Sequence, residues 1–164
     1  MDAELYELAG RVADALKARK LMMAAAESCT GGWIGQAVTM VPGSSNWFDR
    51  GFVTYTNEAK QDMLGVSAET LKQFGAVSEQ AVREMAAGAL ARSRAHIAVA
   101  VSGVAGPGGG SPDKPVGTVW LAWAEKGGKL TAKSIRFHGD RDGVRRQTVM
   151  AALEGLVAML GRKS

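Results

Sequence analysis

The chain has 164 residues, of which 46% are hydrophobic and 22% charged, with a formal net charge of +4 and a single cysteine. That balance suits one domain, residues 1–164, with a sizeable core, and the lone cysteine excludes an internal disulfide and fits a reducing, cytoplasmic compartment. No apolar run reaches the roughly 20 residues of a membrane span; the acidic start Met1-Asp2-Ala3-Glu4-Leu5 does not read as a signal peptide; and the scattered basic residues, not interleaved with aromatics, argue against a nucleic-acid groove.

Asp2 to Arg19 reads as a helix with an apolar stripe of Leu5, Leu8, Val12, Ala15 and Leu16 and basic residues at its end. Met22 to Ala26 is a short apolar run that suits a buried strand. It empties into Ser28-Cys29-Thr30-Gly31-Gly32, after which Ile34, Ala37, Val38 and Val41 recur at helical spacing. The cluster Pro42-Gly43-Ser44-Ser45 ends that helix. Phe52 to Thr56 has strand composition. Asn57 is placed to cap a helix Glu58 to Leu64, Ser67 a helix through Phe74, and Ser78 a longer helix with Ala81, Val82, Met85, Ala86, Ala89 and Leu90 inward.

Ile97 to Val101 reads as a central strand and runs into the glycine-rich segment 102–112. Val116 to Ala124 and Leu130 to Phe137 read as strands joined at Gly127-Gly128, an antiparallel hairpin signal. Asp140 and Asp142 flank the start of a last helix striped by Val149, Ala152, Leu153, Leu156, Val157 and Leu160. This order gives an α/β fold, a three-layer α/β/α sandwich on a mixed, mostly parallel sheet of about five strands with an antiparallel hairpin. In open sheets of this kind ligands gather beyond the carboxyl ends of parallel strands. The loops Ser28–Gly32, Tyr55–Lys60 and Ser102–Ser111 are therefore expected to converge.

The first turn of a helix offers free N–H groups and a positive dipole end. A hydroxyl there, Ser28 or Thr30, either caps the helix or stands beside donors for an oxyanion. Cys29 is either a thiolate activated by the same dipole or a small buried residue. Lys60 can serve as a base only if its pKa falls from about 10.4 toward neutrality, which burial achieves; otherwise it is a solvated amine. Tyr55 relays a proton, positions Lys60, or is simply an aromatic residue of its strand. Arg141, Arg145 and Arg146 open the last helix, as phosphate ligands or as a solvated face. His96, His138 and Cys29 lack metal-ligand spacing, so no metal is expected. Ser111-Pro112-Asp113-Lys114 matches an S-x-x-K pattern, but Pro112 prevents the helix that pattern needs.

Five segments together are more specific than any one of them: Ala26-Glu27-Ser28-Cys29-Thr30-Gly31-Gly32, then Gly51 to Lys60, then Gly75-Ala76-Val77-Ser78-Glu79, then Ser102-Gly103-Val104-Ala105-Gly106-Pro107-Gly108-Gly109, then Lys114 to Val119. In this order they resemble the CinA C-terminal domain family of nicotinamide mononucleotide deamidases, over nearly the whole chain. The resemblance implies hydrolysis of the nucleotide's carboxamide to nicotinate mononucleotide and ammonia, in pyridine nucleotide salvage. It implies Ser28 as nucleophile with Lys60 and Tyr55, substrate contacts from Thr30, Gly31 and the segment of Gly103, Ala105 and Gly106, no metal or other cofactor, and a homodimer; the backbone amides around Cys29, Thr30 and Gly31 are the expected oxyanion donors. Arg145 and Arg141 are the expected phosphate ligands. Rival readings are a nucleotide-binding module without catalysis and a competence or DNA-damage accessory.

Overall fold

In the computed structural model, which describes residues 1–161, α1 spans Ala3–Arg19, β1 Met23–Glu27, α2 Trp33–Thr39, β2 Phe48–Val53, α3 Asn57–Leu64, α4 Ala68–Phe74, α5 Glu79–Ala91, β3 Ile97–Gly103, β4 Thr118–Glu125, β5 Leu130–Arg136 and α6 Arg141–Leu160. Residues 162–164, the end of the expected domain, lie outside the described residues. The sheet order is β2-β1-β3-β4-β5. β1 is parallel to both β2 and β3. β4 runs antiparallel to β3 and to β5, so β4 alone opposes the direction of the other strands.

Alternation in side-chain size builds two unlike faces. Successive residues of a strand point to opposite sides. On one side Met23, Ile97, Val99, Val101, Leu121 and Trp123 pack against α1, α2 and α6 through Leu5, Val12, Leu16, Ile34, Leu153 and Leu156. On the other, Ala24, Ala26, Ala98, Ala100, Ala122 and Ala124 meet Leu64, Leu71, Val82 and Met85 of α3, α4 and α5. The alanine floor lets α5 lie close to the sheet, while the bulky side supplies most of the apolar burial, at about 1.5–3 kcal/mol per large side chain. The three layers expected from the element order are these.

Asp2 caps α1 by accepting from the Leu5 amide at 3.2 Å. Arg146 holds the same carboxylate bidentately, Nε to Oδ2 at 2.7 Å and Nη2 to Oδ1 at 3.1 Å, tying α1 to α6. That guanidinium keeps the Asp2 carboxyl down at about 2. Ser67 and Ser78 cap α4 and α5 as expected, and Asp140 caps α6.

Several boundaries differ from the sequence reading; most strand ends move by one or two residues, and three differences have a clear cause. β2 runs Phe48–Val53 rather than Phe52–Thr56. Its early half, Asp49-Arg50-Gly51, is polar because β2 is an edge strand, and it is held by pairing with β1 from Met23↔Phe48 onward. It ends before Thr56 because that side chain caps α3, accepting from the Ala59 amide at 3.1 Å; Asn57 is the first residue of α3, not its cap. α2 stops at Thr39 because Met40 and Val41 turn back to Ala37 and Val38. Among the described residues no helix is long and apolar enough to cross a membrane.

Candidate active site

The carboxyl ends of β2, β1 and β3 lie side by side, and their loops meet over them. After β1 the chain does not enter α2 directly. Gly32 has φ of +102° and stands as the residue before the helix, with no side chain capping it; a β-carbon is poorly tolerated in that conformation. The capping role falls to Glu27, a buried carboxylate at the end of β1. It accepts from the amides of Ile34 at 2.9 Å and Gly35 at 3.1 Å, and from the Thr30 hydroxyl at 2.5 Å. A carboxylate at a helix start is favoured by the dipole. It leaves the serine hydroxyl of the turn uncommitted to capping.

Ser28 instead receives Lys60. The amine of Lys60, only 1% exposed, sits 2.9 Å from Ser28 Oγ. Its other neighbours are two backbone carbonyls, Thr54 at 2.8 Å and Tyr55 at 3.2 Å. Among the described residues no carboxylate forms an ion pair with it. Burial without a counter-charge pushes the Lys60 ammonium down from 10.5 to about 8. The geometry then does something further. A neutral amine has two N–H bonds and one lone pair. If the carbonyls of Thr54 and Tyr55 take the two N–H bonds, the lone pair is left facing the Ser28 hydroxyl.

Thr54 is fixed in turn by its amide, 2.7 Å from the Glu27 carbonyl, and by its hydroxyl on the same oxygen at 3.3 Å. α3, started by Thr56, carries Lys60 on its buried side one turn from that cap. Lys60 on α3 and Ser28 on the turn after β1 are thus brought together by the parallel pairing of β1 and β2.

The pair opens onto a cavity of about 300 Å³ lined by Ser28, Cys29, Tyr55, Asn57, Lys60, Ala76, Val77, Arg141, the end of β3 at Ser102 and Gly103, and the loop after it, including Ala105 and Gly106. Gly106 has φ of +83°, and a β-carbon there would stand 2.5 Å from the Val116 side chain, so only glycine lets this loop close against the β4 side. Among the described residues the backbone amides of Cys29 and Thr30 donate to no backbone carbonyl, whereas the Gly31 amide is committed to the Ser28 carbonyl at 3.1 Å.

The structure separates the remaining candidates. The Tyr55 hydroxyl does not sit between Ser28 and Lys60; it accepts from Arg141 Nη2 at 3.0 Å, and Tyr55 touches the amine through its carbonyl alone. Arg141 also donates to the Gly106 carbonyl at 2.8 Å, so it bridges two loops across the cavity mouth. Arg145 lies behind the turn, outside the lining residues. Its Nε donates to the Cys29 carbonyl at 3.0 Å, its Nη2 to the Thr30 carbonyl at 3.2 Å, and its guanidinium stacks over Trp33. Thr30 is fully buried with its hydroxyl on Glu27. Cys29 is buried, and burial pushes its thiol up to about 11, which makes a thiolate scarce near neutrality.

His96 accepts the Met22 amide through Nδ1 at 3.0 Å, and His138 is not among the cavity's lining residues. Among the described residues no three His, Cys, Asp or Glu side chains converge as metal ligands would. Two contributors escaped the sequence reading. Thr54 acts through main-chain atoms, which a side-chain motif does not advertise. Ser102 was legible in principle, since it continues the alternation of Ala98 and Ala100 as Ser28 continues that of Ala24 and Ala26.

The chain is similar to known proteins over nearly its whole length. A model of the CinA C-terminal domain matches residues 5–160. Nicotinamide-nucleotide amidohydrolase PncC of Escherichia coli K12 is 56% identical over 155 residues, covering 94% of both chains. The protein of the same name from Pseudomonas putida is 54% identical, covering 93% of this chain and 94% of its own. The crystal structure of the competence/damage inducible protein CihA from Agrobacterium tumefaciens superposes with a TM-score of 0.95 at 52% identity, over 99% of this chain and 98% of that one.

Proposed function

The chain belongs to the CinA C-terminal domain family, and we propose that it is an amidase that hydrolyses the carboxamide of nicotinamide mononucleotide. The relatives named nicotinamide-nucleotide amidohydrolase support the substrate. The observation that carries the chemistry is the 2.9 Å contact of Lys60 Nζ with Ser28 Oγ, with two carbonyls accepting the remaining N–H bonds.

In the first half-reaction neutral Lys60 takes the Ser28 proton as Oγ bonds to the carboxamide carbon. The carbonyl π pair moves onto oxygen, and the amides of Cys29 and Thr30 hold that oxyanion. Each such donor contributes a few kcal/mol in comparable sites, about 2.7–4 kcal/mol. When the C–N bond breaks, the Lys60 ammonium returns the proton to the leaving nitrogen, and ammonia departs. In the second half-reaction Lys60 deprotonates a water that attacks the acyl ester. The ester C–O bond breaks, Ser28 recovers its proton from Lys60, and nicotinate mononucleotide leaves.

Glu27 and Arg145 act on the turn rather than on the substrate: one fixes its α2 side and the other its Cys29 and Thr30 carbonyls. Turning those carbonyls back onto Arg145 leaves the amides of the same turn for the oxyanion. Arg141 is the phosphate ligand in this reading, since its guanidinium is exposed at the mouth. The ring of Tyr55 then covers the mouth. The same activity places the protein in pyridine nucleotide salvage, and a homodimer is the assembly proposed by kinship. A nucleotide-binding module without chemistry has no use for a buried, uncompensated amine, whose desolvation costs stability.

Purified protein incubated with nicotinamide mononucleotide tests the reading. Ammonia and nicotinate mononucleotide should accumulate in equal amounts, and Ser28→Ala should stop both. Normal turnover by Ser28→Ala removes Ser28 from the mechanism.

A further inference from the structure

One buried hydroxyl in the site has nothing to bond. Ser102, at the end of β3, is 1% exposed and lines the cavity. Among the described residues every fully enclosed side-chain nitrogen or oxygen has a partner. The Ser102 hydroxyl has none among them, so the sliver of surface that the residue keeps belongs to that oxygen, and it opens into the cavity.

The sheet fixes where this hydroxyl stands. β1 and β3 are parallel, and their register ends at Glu27↔Val101. The Ser28 amide continues the ladder by donating to the Val101 carbonyl at 3.2 Å. One step further along, Ser28 and Ser102 are neighbours across the ladder, at the ordinary strand spacing of about 4.8 Å. Both extend the alanine side of their strands, the side on which α3 carries Lys60. The third strand contributes Thr54, whose hydroxyl is already bound to the Glu27 carbonyl. Three hydroxyls thus sit on three adjacent strands. One is tied to the backbone and one to Lys60, and Ser102 alone is open.

We propose that Ser102 orients the scissile carboxamide by accepting a hydrogen bond from its NH₂ group, and so makes the site prefer amides over esters. This rests on the amidase reading above. With the carbonyl oxygen at the Cys29 and Thr30 amides and the carbon over Ser28, the amide nitrogen falls on the side of Ser102 and Lys60. There it can receive the proton that Lys60 carries. An ester oxygen has no hydrogen to offer Ser102. Loss of the contact therefore penalises only the amide, in the way that a site built for an N–H discriminates against a substrate lacking one.

The test compares nicotinamide mononucleotide with the methyl ester of nicotinate mononucleotide, measuring kcat/KM for each. Ser102→Ala should lower the amide-to-ester ratio by about ten- to a hundredfold, the range for one lost hydrogen bond to a buried group. Ser102→Cys, nearly the same volume with a weak acceptor, should lower it similarly and covers the case in which alanine loosens the strand. Ser102→Thr keeps the hydroxyl and should keep the ratio. An unchanged ratio in both Ala and Cys variants overturns the inference, as does a threonine variant that behaves like alanine. A wild-type protein that hydrolyses neither compound overturns the amidase reading along with it.

Discussion

Lys60 reaches Ser28 from across a strand pairing, at 2.9 Å and without an intervening group. The two residues are 32 positions apart in sequence. Their meeting follows from β1 and β2 being parallel, so that both strands end at the same edge. Activity should follow the protonation state of the amine. A base with a pKa of about 8 is protonated below that value and free above it. Turnover should therefore rise about tenfold per pH unit below 8 and level off above it. A pH–rate profile of kcat/KM checks this, and a flat profile from pH 6 to 9 would remove Lys60 as the base.

The same amine gives stability a pH dependence. In the unfolded chain Lys60 holds its proton up to its ordinary 10.5, and in the folded protein only up to about 8. Between those values the unfolded state binds more protons, so stability rises with pH. The penalty on folding is fully present below 8 and is relieved as pH climbs toward 10.5. Lys60→Met lacks this linkage. The wild-type unfolding free energy minus that of Lys60→Met should grow by roughly 2–3 kcal/mol between pH 7 and pH 10. Urea melts at the two pH values measure it, and a constant difference would contradict a buried, depressed lysine.

Cys29 should be chemically quiet. Burial raises its thiol to about 11, leaving only a trace of thiolate at pH 7. Native protein should react with a thiol reagent at least about a hundredfold more slowly than urea-unfolded protein, since both exposure and thiolate fraction fall on folding. A native rate equal to the unfolded one would return the thiolate to consideration as a nucleophile.

The two arginines of α6 should separate in kinetics. Arg141 faces the mouth, while Arg145 clamps the Cys29 and Thr30 carbonyls. Arg141→Ala should raise KM for the mononucleotide about tenfold or more and leave the phosphate-free riboside little affected, because one charged hydrogen bond is worth about 1.5–3 kcal/mol. Arg145→Ala should lower kcat on both compounds, by releasing the turn that presents the oxyanion donors. Identical effects of the two substitutions would mean that neither distinction holds.

Much of this arrangement was legible before any coordinates. Continuous apolar runs marked β1 and β3 as inner strands, and the polar stretches after β1 and β2 identified Ser28 and Lys60 as residues to bring together. The hairpin at Gly127-Gly128 and the Ser67 and Ser78 caps depend on local chemistry, so local reading found them. What escaped depends on long-range partners. β2 is half polar because it is an edge, and only its pairing with β1 makes it a strand. The turn after β1 looks like a serine or threonine cap, yet Glu27 does the capping and frees the serine. Arg145 reads as a phosphate ligand from its place near a helix start, but its side chain runs back to carbonyls 115 and 116 positions away. The side Ser102 takes follows from the alternation of Ala98 and Ala100, but its place beside Ser28 follows from the β1–β3 register.

The most direct test is the covalent intermediate. Protein quenched in acid during turnover of nicotinamide mononucleotide, digested and weighed by mass spectrometry, should carry the nicotinate nucleotide acyl group on the peptide containing Ser28, and Ser28→Ala should carry none. Steady release of ammonia with no acylated peptide at any time point, continuing undiminished in Ser28→Ala, would contradict a serine nucleophile activated by Lys60.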